Sequence, residues 1–329
     1  MKIDKQKEKE FYDKSFSFSY SSMNRLLFSP RLFYKDYILK DKEIKMDKHL
    51  VEGRVIHTLL LQPDEFNNQF VVLPAKLPSD TLRRVLKNII LYTDVIELSL
   101  IDDNIILDSL HEIGLYQSLK DSDKRIAKVR TLECEEYYKF LSTTNKDIID
   151  QDTLDRCKNR VNLVKNNKEF MNLFSHNITD FELDDTEIYN EKYLKCELKD
   201  YKFGLKGFVD RYIIDHNKKE ITIIDLKTTG KTISDFPETV NFYNYWLQAA
   251  IYVNLVLKNL SSEKASLYKI NFMFAVIDKY DQMFVFPVSD KSLNLWGENL
   301  HMTLEMVNFH YKENKYELPY QFMNEKVYL

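Results

Sequence analysis

Two aspartates and a lysine lie close together on two adjoining predicted strands. Asp210 lies in one apolar segment, and Asp225 and Lys227 lie in the next one. Because polar residues separate the two segments, an antiparallel hairpin is the simplest pairing. If Ile214 lies opposite Ile221, the same register places Asp210 opposite Asp225, with Cβ atoms about 5 Å apart.

Such an arrangement would bring like charges together. Two carboxylates at that distance repel each other unless one is protonated or a cation lies between them. Lys227 follows Asp225 by two residues, so both side chains project from the same face of the strand, with Cα atoms roughly 6.6 Å apart. A divalent metal beside an ammonium group suits phosphodiester hydrolysis: the metal activates a water, and the lysine orients it or offsets charge on the phosphorane. Oxygen ligands favour Mg²⁺ or Mn²⁺.

The same residues also fit a purely structural interpretation. An Asp-x-Lys pair in a strand is commonly an ion pair at the surface. Asp225 could instead form an isolated buried salt bridge with Arg211 or Lys206. Apolar residues precede Asp225 on both faces of its strand, so an unpaired carboxylate there would be costly. This favours the metal site, and the salt bridge stays open.

The composition of the 329-residue chain excludes several classes of protein. Its six glycines stand in neither a GxGxxG nor a GxxxxGK[ST] frame, which excludes Rossmann and P-loop nucleotide sites. Its three cysteines show no CxxC spacing, which disfavours disulfide, zinc and iron–sulfur frameworks and fits a reducing cytoplasm. The net charge of −4 excludes a globally basic nucleic-acid binder but leaves room for local basic surfaces. We expect a soluble, cytoplasmic protein, because no apolar run approaches the roughly 18 residues of a membrane span.

The second half of the chain predicts the elements that position the charged residues. β-Branched and aromatic segments predict strands over Glu187–Leu194, Phe203–Ile214, Ile221–Lys227, Tyr268–Ile277 and Met283–Val288. Helical periodicity predicts helices over Asn241–Lys258 and Ser292–Tyr311. The expected fold class is α/β (α+β), with a central mixed sheet flanked by helices.

The first half predicts mostly helices. Residues 1–15 are expected to be a frayed polar lead-in. Predicted helices run from Ser21 and Ser22 as caps through Phe28, over Arg31–Leu39 after Ser29-Pro30, and over Leu50–Leu61 before Pro63. The segment from Leu77 to about Ser175 is mostly helical and charged, with a polar break at Ser142–Asp152. It predicts a helical insertion of unknown role.

Several short motifs follow one another in a recognisable order. They are GRVIH at Gly53–His57, D-x14-D-x-K ending at Lys227, and QAAIY at Gln248–Tyr252. In this order they resemble the PD-(D/E)XK nuclease superfamily, and within it the RecE-like exonucleases and their RecB-type relatives. The stretches Tyr20–Ile38 and Glu52–Pro74 resemble the opening helix pair and the GxxxH helix of that group.

The resemblance implies a role for each motif residue. It implies that His57, Asp210 and Asp225 bind the metal and that Lys227 assists the attacking water. It also implies that Gln248 and Tyr252 line the DNA-facing side. Each has a plainer alternative, since a histidine on a helix or a Gln/Tyr pair is more often a boundary residue. Glu187 could be an additional acid at the site or an exposed strand glutamate.

Two positions depart from the family pattern. Some relatives carry a cysteine before the early proline as part of an iron–sulfur cluster, whereas this chain has Ser29-Pro30, so no cluster is expected. The proline of the superfamily's name is replaced by Val209, at a position that varies. Gly53, Gly204 and Gly207 lie beside the proposed site, although glycine is scarce elsewhere.

These observations predict a Mg²⁺-dependent exonuclease that degrades double-stranded DNA from its ends. The resemblance implies 5′ to 3′ polarity, a role in phage or prophage recombination, a single-strand annealing partner and a ring-like homo-oligomer. The alternatives are an endonuclease of restriction or repair type and a non-catalytic DNA-binding subunit. We expect one nuclease domain over residues 1–329, divided into N-terminal helices (1–75), the insertion (76–150), the sheet core (151–290) and a C-terminal helix with its tail (291–329).

Overall fold

The computed structural model describes residues 5–42, 48–74, 76–142, 146–174, 185–260 and 266–324. The chain divides into two compact units. Met1–Met46 and Leu163–Leu329 form the larger unit, and Asp47–Asn162 form the smaller one. The division into four segments predicted above stays a prediction.

Strands and helices are distributed unevenly between the two units. In chain order the strands are β1 (Ser17–Phe18), β2 (Phe70–Val72), β3 (Asp147–Ile149), β4 (Thr186–Glu197), β5 (Gly204–Asp215), β6 (Glu220–Thr228), β7 (Lys269–Ile277) and β8 (Met283–Val288). The helices before β4 are α1 (Lys5–Tyr12), α2 (Tyr20–Phe28), α3 (Pro30–Phe33), α4 (Lys48–Leu61), α5 (Phe66–Gln69), α6 (Asp80–Ile89), α7 (Asp103–Ile113), α8 (Ser122–Val129), α9 (Leu132–Ser142), α10 (Gln151–Asn166) and α11 (Lys168–Met171). The later helices are α12 (Phe236–Phe242), α13 (Tyr245–Asn259), α14 (Asp290–Glu313) and α15 (Tyr320–Asn324).

The larger unit is built on a mixed sheet that has six strands within the described residues. Its order is β4–β5–β6–β7–β8, with β1 parallel to the start of β5. β5 is antiparallel to β4 and β6, β6 is parallel to β7, and β7 is antiparallel to β8. Ile214 lies opposite Ile221, which confirms the predicted hairpin register.

One face of the sheet packs against α13 because both surfaces are apolar. Leu247, Ile251 and Leu255 of the helix share a buried core with Ile223 of β6 and Phe274 of β7. α14 packs beside α13 and extends the helical layer. The predicted fold class, a central mixed sheet flanked by helices, is therefore confirmed.

The smaller unit is mostly helical and has a hydrophobic core of its own. Buried residues of α6, α7, α8 and α9 form this core, among them Leu86, Ile106, Val129 and Tyr138. The strands β2 and β3 add a short parallel pair. β3 lies within the polar break predicted at Ser142–Asp152, of which residues 143–145 lie outside the described residues.

Residues 5–15, the described part of the predicted frayed lead-in, differ from that prediction, and residues 1–4 lie outside the described residues. The described part forms α1, and β1 follows before α2 begins. Phe11 of α1 is buried, and its ring lies 6.3 Å from that of Phe33 and 5.9 Å from that of Tyr311. The prediction was wrong because this helix is held by a distant aromatic contact that its own charged sequence does not reveal.

The caps of α2 and α3 explain where these helices begin. Ser19, not Ser21 or Ser22, is the N-cap of α2, and Ser22 completes a capping box with it. Ser29 caps α3 with Pro30 in the first turn, as predicted. The predicted helix over Arg31–Leu39 continues only as a wider π-helical segment after α3.

The predicted helix over Asn241–Lys258 is interrupted. It consists of α12 and α13, separated by Tyr243 and Asn244, and Asn244 adopts a left-handed conformation with φ of 57°. The other predicted strands and helices of the second half are present with small shifts at their ends. None of the described helices combines the length and the apolar composition needed to cross a lipid bilayer.

Candidate active site

Two acidic residues face each other where β4 and β5 meet. Asn190 pairs with Arg211 and Lys192 pairs with Val209, so Glu191 lies opposite Asp210 by register. A carboxylate oxygen of Glu191 lies within 4.8 Å of one of Asp210.

The backbone of β4 is distorted at this point. Glu191 adopts a left-handed conformation with φ of 44°, which is unusual for a residue with a side chain inside a strand. Such strained conformations concentrate at functional sites, where the surrounding structure holds them in place.

The side-chain alternation of β5 also changes at Asp210. Before Asp210, the odd-numbered residues Leu205 and Val209 belong to the core that contains α13. After Asp210, the even-numbered residues Tyr212 and Ile214 belong to it. A regular strand would place residues of one parity on one face, so the spacing of three between Val209 and Tyr212 marks a break. The distorted strands can therefore direct acidic side chains toward a face that regular alternation would leave apolar.

The break ends the hydrogen-bonded pairing between β5 and β6. The last backbone pair joins Arg211 to Ile224. The Asp210 carboxylate then accepts a hydrogen bond from the backbone N–H of Leu226, with Oδ2 and N 2.8 Å apart. Asp210 is thus fixed against the strand that carries Asp225, which agrees with the predicted juxtaposition of the two aspartates.

Asp225 and Lys227 form a buried ion pair. Asp225 has no exposed surface, the Lys227 side chain is 13% exposed, and Nζ lies 2.5 Å from Oδ2. The pair confirms that the two side chains share one face of β6. The partner of Asp225 is thus Lys227, and the alternative partners Arg211 and Lys206 make other contacts. Arg211 donates to the side chain of Asn190, and the Lys206 ammonium lies over the ring of Phe16.

The environment of Lys227 keeps its amine protonated. Burial by itself lowers the pKa of Lys227, but the negative charges of Asp225 and Asp210 outweigh burial and raise it above the ordinary value. The Lys227 ammonium also lies 4.8 Å from the ring centre of Tyr245. A charged ammonium can orient a water or offset developing negative charge.

Gln248 and Tyr252 lie in the interior, beside the acidic residues. They are 8% and 7% exposed, and the Gln248 amide donates a hydrogen bond of 2.8 Å to the Tyr252 hydroxyl. Burial, and then the charges of Asp210 and Asp225, raise the pKa of Tyr252 well above its ordinary value. The predicted DNA-facing role of this pair stays a prediction.

Gly207 explains how α13 comes so close to β5. A Cβ atom at this position would lie 3.2 Å from atoms of both Tyr252 and Leu255. An alanine here would require the Tyr252 and Leu255 side chains to give way by a few tenths of an ångström.

The other two predicted site residues are Glu187 and His57. Glu187 is 45% exposed on its side chain, and its carboxylate lies 2.8 Å from the imidazole of His216. His57 is half-buried on α4 of the smaller unit, one turn after Gly53. The proposed roles of Glu187 and His57 stay predictions.

Sequence reasoning missed Glu191, although a signal was present. Asn190, Glu191 and Lys192 are three consecutive polar residues in the middle of a strand, where alternation would place an apolar one. Such an interruption indicates a bulge or a functional side chain.

The donor chemistry of the site fits a hard divalent cation. Glu191 and Asp210 offer oxygen atoms close enough to approach one ion, and Asp225 lies on the adjoining strand. Mg²⁺ and Mn²⁺ prefer such oxygen ligands.

Comparison with known proteins decides the family. A sequence model described as the PD-(D/E)XK nuclease superfamily matches residues 17–279. The chain belongs to this superfamily. No curated protein sequence matches it. Asp210, Asp225 and Lys227 of this PD-(D/E)XK member lie within the matched residues.

Among solved structures, the chain is similar to a crystal structure named "Putative exonuclease" from Eubacterium rectale. The TM-score is 0.48 and the sequence identity is 12%, with 100% of this chain and 96% of that chain covered.

Proposed function

We propose that this protein is a metal-dependent deoxyribonuclease that hydrolyses phosphodiester bonds from the ends of double-stranded DNA. The observation that carries the proposal is the convergence of Glu191, Asp210, Asp225 and Lys227 on three neighbouring strands, at the point where backbone pairing is interrupted. Membership in a nuclease superfamily supports the same reaction class.

Each residue has a defined part in this proposal. Asp210, Asp225 and Glu191 would hold Mg²⁺ or Mn²⁺, and His57 of the GxxxH motif would supply a nitrogen ligand. When bound, the cation would polarise the phosphate and lower the pKa of a water. Lys227 orients the attacking water and offsets negative charge as the phosphorus becomes pentavalent.

The finer features of the proposal come from the RecE-like resemblance. They are 5′ to 3′ polarity, a single-strand annealing partner, a homo-oligomeric ring and a phage recombination role. A net charge of −4 is compatible with DNA binding, because phosphate contacts need lysine and arginine only locally.

Incubation of the purified protein with linear and with covalently closed DNA, in Mg²⁺ and in EDTA, tests the proposal. We expect loss of linear DNA alone, and only with the metal. Cutting of closed circles would instead establish the alternative, an endonuclease. DNA binding without digestion in either Mg²⁺ or Mn²⁺ would establish a non-catalytic subunit.

Variants assign the digestion to this site. Lys227→Ala is expected to lower the rate of digestion at least about a hundredfold, as loss of a charge-stabilising group does. Asp215→Asn is the matched control, because Asp215 lies on the same strand as Asp210 but pairs with Lys218 at the hairpin turn. Digestion that survives Lys227→Ala unchanged would remove this site from the mechanism.

A further inference from the structure

The corner between α12 and α13 is a fixed element of the structure. Asn244 is left-handed, and its side chain donates a hydrogen bond of 2.8 Å to Asn24 of α2. The backbone carbonyl of Tyr243 accepts hydrogen bonds from the Tyr20 hydroxyl at 2.5 Å and from the Asn24 amide at 3.4 Å. The backbone of this corner is therefore held at three points from α2.

This corner presents two aromatic side chains to solvent. Phe242 is 73% exposed and Tyr243 is 44% exposed. Their ring centres are 4.9 Å apart with perpendicular planes. The ammonium of Lys231 lies 5.2 Å from the ring centre of Phe242. Large apolar rings that a rigid corner exposes beside a cation indicate a binding surface.

The exposed rings are continuous with the candidate active site. The ring of Tyr243 lies 5.7 Å from that of Tyr245, at an interplanar angle of 31°. The ring of Tyr245 in turn lies 4.8 Å from the Lys227 ammonium. A row of aromatic side chains thus leads from the ammonium beside the acidic residues to the surface.

We propose that Phe242 and Tyr243 stack on unpaired bases of the DNA strand next to the phosphodiester that is hydrolysed. Every base has a π-face, and aromatic side chains with a neighbouring cation bind single strands through stacking and phosphate contacts. Lys231 provides the cation. The proposal rests on the nuclease function proposed above and adds a preference for DNA ends that carry unpaired nucleotides.

The size of the surface favours nucleobases over a protein partner. Two aromatic side chains bury at most about 500 Å². A stable protein interface needs about 800 Å² from each partner. Two rings and one lysine match the size and charge of one or two nucleotides.

A fluorescent base measures the stacking directly. Two tailed probes are hairpin duplexes with a short single-stranded tail that ends in 2-aminopurine, one with a 5′ tail and one with a 3′ tail. The third probe is a blunt hairpin with 2-aminopurine in its last base pair. Binding is followed in EDTA, where the proposed metal is withheld. We expect the wild-type protein to quench the tail probe more strongly than the blunt one.

Ring-removing variants identify the stacking residues. Phe242→Ala and Tyr243→Ala are each expected to weaken binding of tailed DNA by about tenfold and to reduce the quenching, as loss of a stacking ring does. Phe242→Trp should keep both the binding of tailed DNA and the quenching. Lys231→Gln should weaken the binding of tailed and of blunt DNA alike, and it should lower the salt dependence of DNA binding by about one ion. Phe322→Ala is the matched control, because Phe322 is 51% exposed on α15.

The outcomes separate this inference from the proposed function. If the wild-type protein digests linear DNA but Phe242→Ala and Tyr243→Ala bind and quench the tailed probe like the wild type, the stacking surface is wrong and the nuclease function stands. Failure of the wild type to quench the tail probe overturns the inference whatever the digestion result. Failure of the wild type to digest any DNA in Mg²⁺ or Mn²⁺ overturns the nuclease function instead.

Discussion

The surroundings of the acidic side chains differ between two places on the strand pair β4–β5. At the end of this pair beside the turn between β5 and β6, Glu187 pairs with His216 and Asp215 pairs with Lys218, and the backbone pairing there is continuous. In the middle of the pair, Glu191 and Asp210 bring like charges within 4.8 Å, beside a distorted backbone.

The difference separates charge that serves stability from charge that serves chemistry. A partly exposed carboxylate with a local partner costs little and contributes little, about 0–1 kcal/mol. Two carboxylates held within a few ångströms of each other repel each other. A protein keeps such an arrangement where a cation will neutralise it.

Replacement of one glutamate at each place gives the largest expected contrast. Glu191→Gln should lower the rate of Mg²⁺-dependent DNA digestion by more than about a hundredfold. This exceeds the effect of losing a group that only hydrogen-bonds to a metal ligand. Glu187→Gln should leave the rate unchanged, because its carboxylate pairs with His216. Rates of linear DNA loss measure both. The reverse order would make Glu187 the additional acid of the site.

Loss of the Tyr252 hydroxyl should reveal how buried the acidic region is. Tyr252→Phe leaves the Gln248 amide without its acceptor, which should lower the free energy of unfolding by about 1–3 kcal/mol. Tyr189→Phe is the control near Glu187. The Tyr189 hydroxyl donates to the half-exposed Glu187 carboxylate, and water can replace it as the donor. Urea unfolding measures both. Equal effects of the two variants would contradict the distinction.

The close approach of α13 to the acidic region predicts a third contrast. Gly207→Ala should lower the free energy of unfolding by about 1 kcal/mol or more, because the added methyl group crowds Tyr252 and Leu255. Gly297→Ala should raise it by up to about 1 kcal/mol, because Gly297 is exposed inside α14 with nothing nearby. A stabilising Gly207→Ala would show that the Tyr252 and Leu255 side chains can give way without cost.

Mg²⁺ should stabilise the wild-type protein more than a variant that lacks one of the facing carboxylates. Asp210→Asn removes one anionic oxygen from the proposed metal site, while the asparagine oxygen still accepts from Leu226. Mg²⁺ should therefore raise the free energy of unfolding of Asp210→Asn less than that of the wild type. Asp215→Asn should lower the free energy of unfolding slightly by loss of the Lys218 pair, in Mg²⁺ and in EDTA alike. Urea unfolding in both conditions measures these effects, and equal stabilisation of the wild type and Asp210→Asn by Mg²⁺ would remove Asp210 from the metal site.

The sheet was largely predictable from the sequence because its strands have strong local signals. β-Branched residues and the polar turn predict the hairpin of β5 and β6, and the apolar pair Ile214 and Ile221 gives its register. The spacing of Asp225 and Lys227 likewise predicts their shared face, since a strand alternates strictly between such positions.

Other features depend on backbone conformations that periodicity does not reveal. Glu191 and Asn244 both have positive φ, the first inside a strand and the second inside what resembles one helix. A pattern of apolar residues assumes a regular backbone, so it misses a proposed ligand at a distorted position and a corner at a single asparagine. α1 was missed because Phe11 is buried against residues far along the chain.

The distortion at Glu191 also affects the outer edge of the sheet. Within the described residues, β4 has β5 as its one neighbour, so its outer backbone groups could pair with a strand of another molecule. A left-handed residue in mid-strand and the exposed lysines 192 and 195 oppose such pairing. At the opposite edge, Pro287 of β8 lacks the N–H that a new strand would need. Replacement of Glu191 by a residue that favours a regular strand would therefore promote aggregation as well as remove the proposed ligand.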